Sequence, residues 1–208
     1  MKTVVQGIKT HVRAGMRVVA IGLNKLTNGK VTPNGITIFG TLMHIPIAVL
    51  IATDHYAWAA LLLVIFGLFD TLDGELARLQ DRSSVKGMLL DASTDRLKEA
   101  MLYSGVAYAL AVGPHPATAA FAAAAVGSSI SVSYVKAKGE AAVASSGKDI
   151  PHHVLNRMFA DGILTFEMRM VVLLLGLLTG YLALAAAVVA VGASITVLQR
   201  LVRISGKI

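Results

Sequence analysis

The stretch Phe69-Asp70-Thr71-Leu72-Asp73-Gly74-Glu75-Leu76-Ala77-Arg78, continued by Gly87, Asp91 and Asp95, sets acidic side chains where two long apolar runs approach each other. Residues 56–77 read as an apolar span that ends inside this stretch, and residues 87–112 read as the next. Asp70 and Asp73 stand three residues apart, Asp91 and Asp95 four apart, so each pair shares a helix face. The connection 78–86 is short. The two helices are therefore expected to be antiparallel neighbours, with all four carboxylates meeting at one depth.

Unpaired acids at membrane depth cost about 2.5–3.5 kcal/mol each on insertion scales, and crowding adds mutual repulsion. Divalent cations relieve both. Oxygen donors without His or Cys select hard ions such as Mg2+ or Mn2+. Four carboxylates suffice for two ions per subunit, the arrangement used in phosphoryl displacement. Gly74 follows Asp73 and lies four residues after Asp70, so a phosphate or a partner backbone can come close. Arg78, one turn on, offers a fork of donors to a phosphate. Gly87, four before Asp91, keeps the same stripe of the next helix clear. The plain alternative is a set of helix-end aspartates facing water. It serves for any one of them, but Asp91 and Asp95 lie a turn or more inside a span. A cation-coupled transporter would distribute relay carboxylates through the membrane depth, whereas Asp54 sits alone in its connection on the far side. A non-catalytic membrane scaffold is the remaining class.

Outward from this centre apolar runs dominate the chain. Of 208 residues, 55% are hydrophobic, above the ~45–50% of soluble domains. Apolar spans are expected at 36–53, 56–77, 87–112, 117–138, 164–180 and 182–202. Before them, Val5, Ile8, Val12, Met16, Val19, Leu23 and Leu26 recur at helical spacing opposite Lys9, Arg13 and Arg17. Residues 2–27 thus read as an amphipathic helix in the headgroup plane. This helix lacks the continuous apolar core of a secretory signal. The expected fold is an all-α integral membrane protein of six transmembrane helices plus an N-terminal interfacial helix. Residues 1–34 hold that helix and the turn after it, and 35–208 form the membrane domain.

All 19 Lys and Arg residues fall at the N-terminus, in 78–86, in 139–163, at the C-terminus or in adjoining parts of spans. The three tight connections, at Asp54-His55, Gly113-Pro114-His115-Pro116 and Gly180-Tyr181, contain none. That asymmetry predicts a cell-membrane protein with both termini and the acidic centre on the cytoplasmic side. The net charge of +7 flanks apolar spans, which points to anionic lipid or a phosphorylated substrate and not to nucleic acid. With no cysteine, thiolate chemistry and Cys-based zinc sites are excluded. His44 is expected to be a packed, hydrogen-bonded residue, His152 and His153 solvated loop residues, and Tyr56 and Trp58 interfacial aromatics.

The pattern D-x-x-D-G-x-x-A-R-x8-G-x3-D-x3-D, met at Asp70, Asp73, Gly74, Ala77, Arg78, Gly87, Asp91 and Asp95, resembles the signature of the CDP-alcohol phosphotransferases. The resemblance implies metal-dependent transfer of a phosphatidyl-type group from a CDP-linked lipid, such as CDP-diacylglycerol or an ether-lipid equivalent, to an alcohol, with release of CMP. It implies that Asp70, Asp73, Asp91 and Asp95 hold the metals and that Asp95 is the general base. Gly74, Arg78, Ser84 and the segment Asn34-Gly35-Ile36-Thr37 would contact the CDP-lipid. Ser133-Tyr134-Val135-Lys136-Ala137-Lys138-Gly139-Glu140, Asp95-Arg96 and Val197-Leu198-Gln199-Arg200-Leu201 resemble segments of the phosphatidylinositol phosphate synthases within that family. Lys138-Gly139 departs from the Arg-Ala usual there, and Glu167-Met168-Arg169 retains only part of a paired E-R motif. Inositol phosphate is the implied acceptor, and glycerol 3-phosphate or another polar alcohol the alternative. Lys136, Arg169 and Arg200 would bind the acceptor phosphate, although membrane-edge anchoring explains each of them equally well. Members of the family commonly form homodimers.

Overall fold

The computed structural model describes residues 2–145 and 162–206, all helix, turn or short connection. In chain order the helices are α1 (Lys2–Leu26), α2 (Pro33–Ala52), α3 (Tyr56–Gly67), α4 (Phe69–Leu79), α5 (Val85–Val112), α6 (Ala119–Ser145), α7 (Phe166–Thr179) and α8 (Leu182–Ser205). A single 3-10 turn, Pro116–Thr118, leads into α6. His152 and His153 lie outside the described residues.

Local chemistry explains the boundaries. Asn28 and Gly29 take positive φ (50° and 71°) and end α1. Thr32 caps α2 by accepting the Gly35 N–H at 3.1 Å, and Pro33 starts that helix, where its missing N–H costs nothing. Gly180 closes α7 at φ 76°. The apolar run expected as one span at 56–77 is broken once, at Leu68, whose N–H donates to the Ile65 carbonyl at 3.3 Å in a tighter i→i−3 turn. The fourth run does not stop at 138: α6 continues to Ser145. Its extension, Gly139-Glu140-Ala141-Ala142-Val143-Ala144-Ser145, is rich in helix formers, and Glu140 lies 3.8 Å from Lys136 one turn before.

Among the described residues, four stretches are long and apolar enough to cross a membrane: Pro33–Ala52, Tyr56–Leu79, Pro116–Val143 and Leu182–Ser205. The chain is thus an all-α, multi-pass membrane protein. The other two expected spans fall short of that measure for different reasons. α5 is 28 residues long but carries Lys86, Asp91, Asp95, Arg96, Lys98 and Glu99 in its first 15 residues. α7 is apolar but has only 14 residues.

The chain divides into two compact units, residues 1–47 with 58–101 and residues 48–57 with 102–208. In the first, Ala20 of α1, Ile36 of α2 and Leu72 and Leu76 of α4 form a buried cluster, with Met16, Leu23, Val31 and Phe69 packed on it. This is the seat of the acidic motif: α1 backs α4 on one side while the aspartates look to another. In the second unit small residues set the helix spacing. A Cβ at Gly105 would strike the Ala48 backbone carbonyl, and one at Gly176 would come within 2.5 Å of the Ala185 Cβ. Val189 and Ala193 of α8 are fully buried there.

Candidate active site

Helical spacing brings acids of α4 and α5 together in the first unit. One carboxylate oxygen from each of Asp70, Asp91 and Asp95 lies within 4.8 Å of the others. Asp73 is buried on the same helix as Asp70, and its Oδ2 accepts the Thr37 hydroxyl at 2.5 Å. Thr37 in turn lies one turn after Pro33, in the α2 segment expected to meet the CDP-lipid.

A cation already stands among these acids. The Lys98 ammonium is 2% exposed, donates to Asp70 Oδ1 and lies 3.2 Å from Asp95 Oδ1. Asp70 and Asp95 retain 26% and 20% exposure, so the cluster stays open to a ligand. Beside it Arg96 Nη1 donates to Glu99 Oε2 at 2.5 Å, which leaves its guanidinium 3.9 Å from Asp95. The donor set fits a hard divalent ion. Every group is a carboxylate oxygen, and the oxygen separations approach twice a ~2.1 Å Mg–O distance, as for two ligands of one ion. An ammonium drawn between two of these acids marks the point where positive charge is favoured.

Of the expected CDP-lipid residues, Thr37 is bonded directly to one of the acids, Asp73. Ser84 is the N-cap of α5: its Oγ accepts the Gly87 N–H at 3.1 Å, and its carbonyl accepts the Met88 N–H at 3.0 Å. Asn34 is its neighbour, since a Cβ at Gly87 would lie 3.3 Å from Ser84 Oγ and 3.6 Å from Asn34 Oδ1. A Cβ at Gly74 would meet only the end of the Arg78 side chain, at 3.6 Å. Ile36 is buried in the core and Gly35 is exposed.

The three basic residues expected around the acceptor are all in the second unit. Arg169 is 1% exposed, with Nη1 donating to the Leu164 carbonyl at 3.1 Å and its guanidinium 5.8 Å from the centre of the Phe166 ring. The Leu164 N–H donates to Thr196 Oγ1, one turn before Arg200 on α8. Arg200 is buried, and its Nη1 donates to the Val132 carbonyl at 2.9 Å, one turn before Lys136 on α6. These bonds tie the three basic residues into one neighbourhood. Lys136 itself stays exposed near Glu140.

Sequence reasoning missed two features. Lys98 follows Asp91 by seven residues and Asp95 by three, so its place on the acidic face was visible in the spacing. Glu75 sits within the motif, yet nothing in the sequence pairs it with Arg13, 62 residues away, whose Nε donates to it at 2.6 Å. Of the incidental residues, His44 is buried with Nδ1 2.7 Å from the Gly40 carbonyl, as expected of a packed histidine. The Tyr56 hydroxyl donates to Asp54 at 2.5 Å, and Trp58 is 62% exposed.

Comparison with known proteins agrees with the motif. The family model described as CDP-alcohol phosphatidyltransferase matches residues 30–199. A phosphatidylinositol phosphate synthase of Corynebacterium glutamicum is 35% identical over 183 residues, covering 83% of this chain and 77% of that one. The fold resembles the crystal structure of Mycobacterium tuberculosis phosphatidylinositol phosphate synthase with CDP-DAG bound, with TM-score 0.76, 25% identity, and coverage of 91% of this chain and 92% of that one. A second structure of that enzyme, in complex with manganese and citrate, also superposes at TM-score 0.76, with 24% identity over 91% of this chain and 88% of that one. Since the matched region includes the whole acidic motif and both helices that carry it, this membrane protein belongs to the CDP-alcohol phosphatidyltransferase family.

Proposed function

We propose that the protein is a phosphatidylinositol phosphate synthase-like transferase, moving the phosphatidyl group of CDP-diacylglycerol to inositol phosphate. The observation that carries this reading is the convergence of Asp70, Asp91 and Asp95 within 4.8 Å, in a chain whose curated relatives include phosphatidylinositol phosphate synthases. Asp70, Asp73, Asp91 and Asp95 hold Mg2+ or Mn2+, two ions per subunit. Bound dications supply charge neutralisation of the pyrophosphate and of the departing CMP. Asp73 is kept in place by Thr37, and Asp70 and Asp95, which here accept the Lys98 ammonium, would be the carboxylates that exchange it for a dication. Asn34, Gly35, Ile36, Thr37, Gly74, Arg78 and Ser84 line the CDP-lipid site.

In the transfer, the acceptor hydroxyl oxygen forms a bond to the phosphorus that bears the diacylglycerol. The pyrophosphate bond at that phosphorus breaks, and CMP leaves with the bridging oxygen. Asp95 takes the hydroxyl proton as general base. Lys136, Arg169 and Arg200 bind the phosphate that the acceptor already carries. Their grouping through Val132, Leu164 and Thr196 supports that role.

The membrane arrangement that suits this chemistry has six spans, with α5 and α7 completing the four long apolar ones. α1 and its turn (1–34) lie in the interface ahead of the membrane domain (35–208). The placement of Lys and Arg supports a cytoplasmic active site and cytoplasmic termini. The functional unit is a homodimer. The experiment is CMP release from CDP-diacylglycerol by purified enzyme, with Mn2+, Mg2+ or a chelator, across inositol phosphate, glycerol 3-phosphate and inositol. Activity with inositol phosphate alone, lost on chelation, is expected. Preference for glycerol 3-phosphate would reassign the acceptor, and metal-independent release would reject the mechanism.

A further inference from the structure

Glu75 lies five residues after Asp70, which turns it to the other side of α4 from the metal-binding face. It is buried, and it accepts Arg13 Nε at 2.6 Å and Arg78 Nη2 at 2.5 Å. One carboxylate thereby fixes two guanidiniums, from α1 and from α4. They border a cavity of about 580 Å³ between these helices, lined also by Thr10 and Arg17. Arg17, one turn after Arg13, makes no ion pair or hydrogen bond among the described residues. Three arginines face one carboxylate here, so the cavity keeps two positive charges in excess. Glu75 occupies a single donor of Arg13, whose side chain is 58% exposed, so further donors point to solvent. Pre-oriented guanidinium forks around an open cavity are suited to a tetrahedral oxyanion.

We propose that this cavity is a phosphate-binding site separate from the carboxylate cluster, and that its occupant is the headgroup phosphate of an anionic lipid. The lipid is favoured over free phosphate by what adjoins the arginines. Val18, Val19 and Leu26 of α1 are 70%, 46% and 86% exposed, an apolar face suited to the acyl region. α1 also borders an apolar cavity of about 340 Å³ lined by Val19, Leu23, Ile36, Phe39 and Phe69, where a chain can lie. Through Glu75 the occupant bears on Arg78. An anionic lipid seated at α1 therefore helps to fix a side chain of the CDP-lipid site.

The test uses the full chain in phosphatidylcholine nanodiscs, free of divalent metal and of CDP-lipid. Thermal unfolding is followed while inorganic phosphate, CMP or phosphatidate incorporated in the disc is titrated. The wild type is expected to gain thermal stability with phosphate, and at lower concentration with phosphatidate. Arg17→Gln, whose side chain holds nothing in place, should unfold at the wild-type temperature without anion and need about tenfold more of either to respond. A response to inorganic phosphate but not to phosphatidate would overturn the lipid assignment. Equal responses in wild type and Arg17→Gln, no response to either phosphate, or a response to CMP alone would overturn the site. CMP release on the same discs with metal added tests the transferase separately, so either reading can fail while the other stands.

Discussion

At the scale of single residues, burial and charge decide what each acid and base contributes. Asp95→Asn keeps size and polarity but cannot take a proton, so turnover should vanish while CDP-lipid binding, measured by equilibrium retention of radiolabelled substrate, stays within a few-fold of wild type. Loss of binding instead would make Asp95 a ligand only. Lys98 is the opposite case. Its ammonium lies against Asp70 and Asp95 and competes with any dication there. Lys98→Met, similar in length and apolar, should lower the Mn2+ concentration needed for half-maximal binding several-fold. An unchanged or weaker Mn2+ affinity, read by electron paramagnetic resonance of free Mn2+, would show that Lys98 does not share the site. Arg200 is buried and bonded to the Val132 carbonyl, so its substitution has a structural component as well. Arg200→Ala should raise the acceptor KM more than that of CDP-diacylglycerol. Equal rises in both would leave it a packing residue.

At the scale of the helix, caps and close approaches fix where the site's residues stand. Ser84 starts α5 by accepting the Gly87 N–H, and α5 carries Asp91 and Asp95. Ser84→Ala should cost about 1 kcal/mol of stability, as for other N-caps, seen as a lower unfolding temperature. Gly105 packs directly on the Ala48 backbone, which cannot yield as a side-chain tip can. Gly105→Ala should destabilise by about 1–3 kcal/mol through overpacking. A neutral substitution would mean that α2 and α5 separate easily there. This is also the scale at which the sequence was most legible. Spacings of three and four residues placed Asp70 with Asp73 and Asp91 with Asp95 on shared faces, because helical period alone fixes that. It could not show that α6 runs on to Ser145, since Gly139 and Glu140 read as a polar break until Glu140 is seen beside Lys136. Nor did it show the break at Leu68, since a lone glycine such as Gly67 inside an apolar run is common in unbroken membrane helices.

At the scale of the whole molecule, partners distant in sequence meet, and there the sequence was silent. Thr37 with Asp73 and Arg13 with Glu75 depend on which helix packs on which. The overall apolar content nevertheless announced a membrane protein, and the distribution of basic residues predicts an orientation for it. Because the chain has no cysteine, single cysteines report topology without interference. Ser83→Cys should react with a membrane-impermeant maleimide only from the cytoplasmic side, and His115→Cys only from the other. The reverse pattern would invert the orientation. The proposed chemistry requires that acids of α4 and α5 gather divalent metal. Mn2+ binding to the purified protein, counted by electron paramagnetic resonance, reads this out. Wild type should sequester Mn2+ and Asp70→Asn with Asp91→Asn should abolish that, both proteins remaining folded. Undiminished Mn2+ binding in the double variant, or none in the wild type, would contradict it.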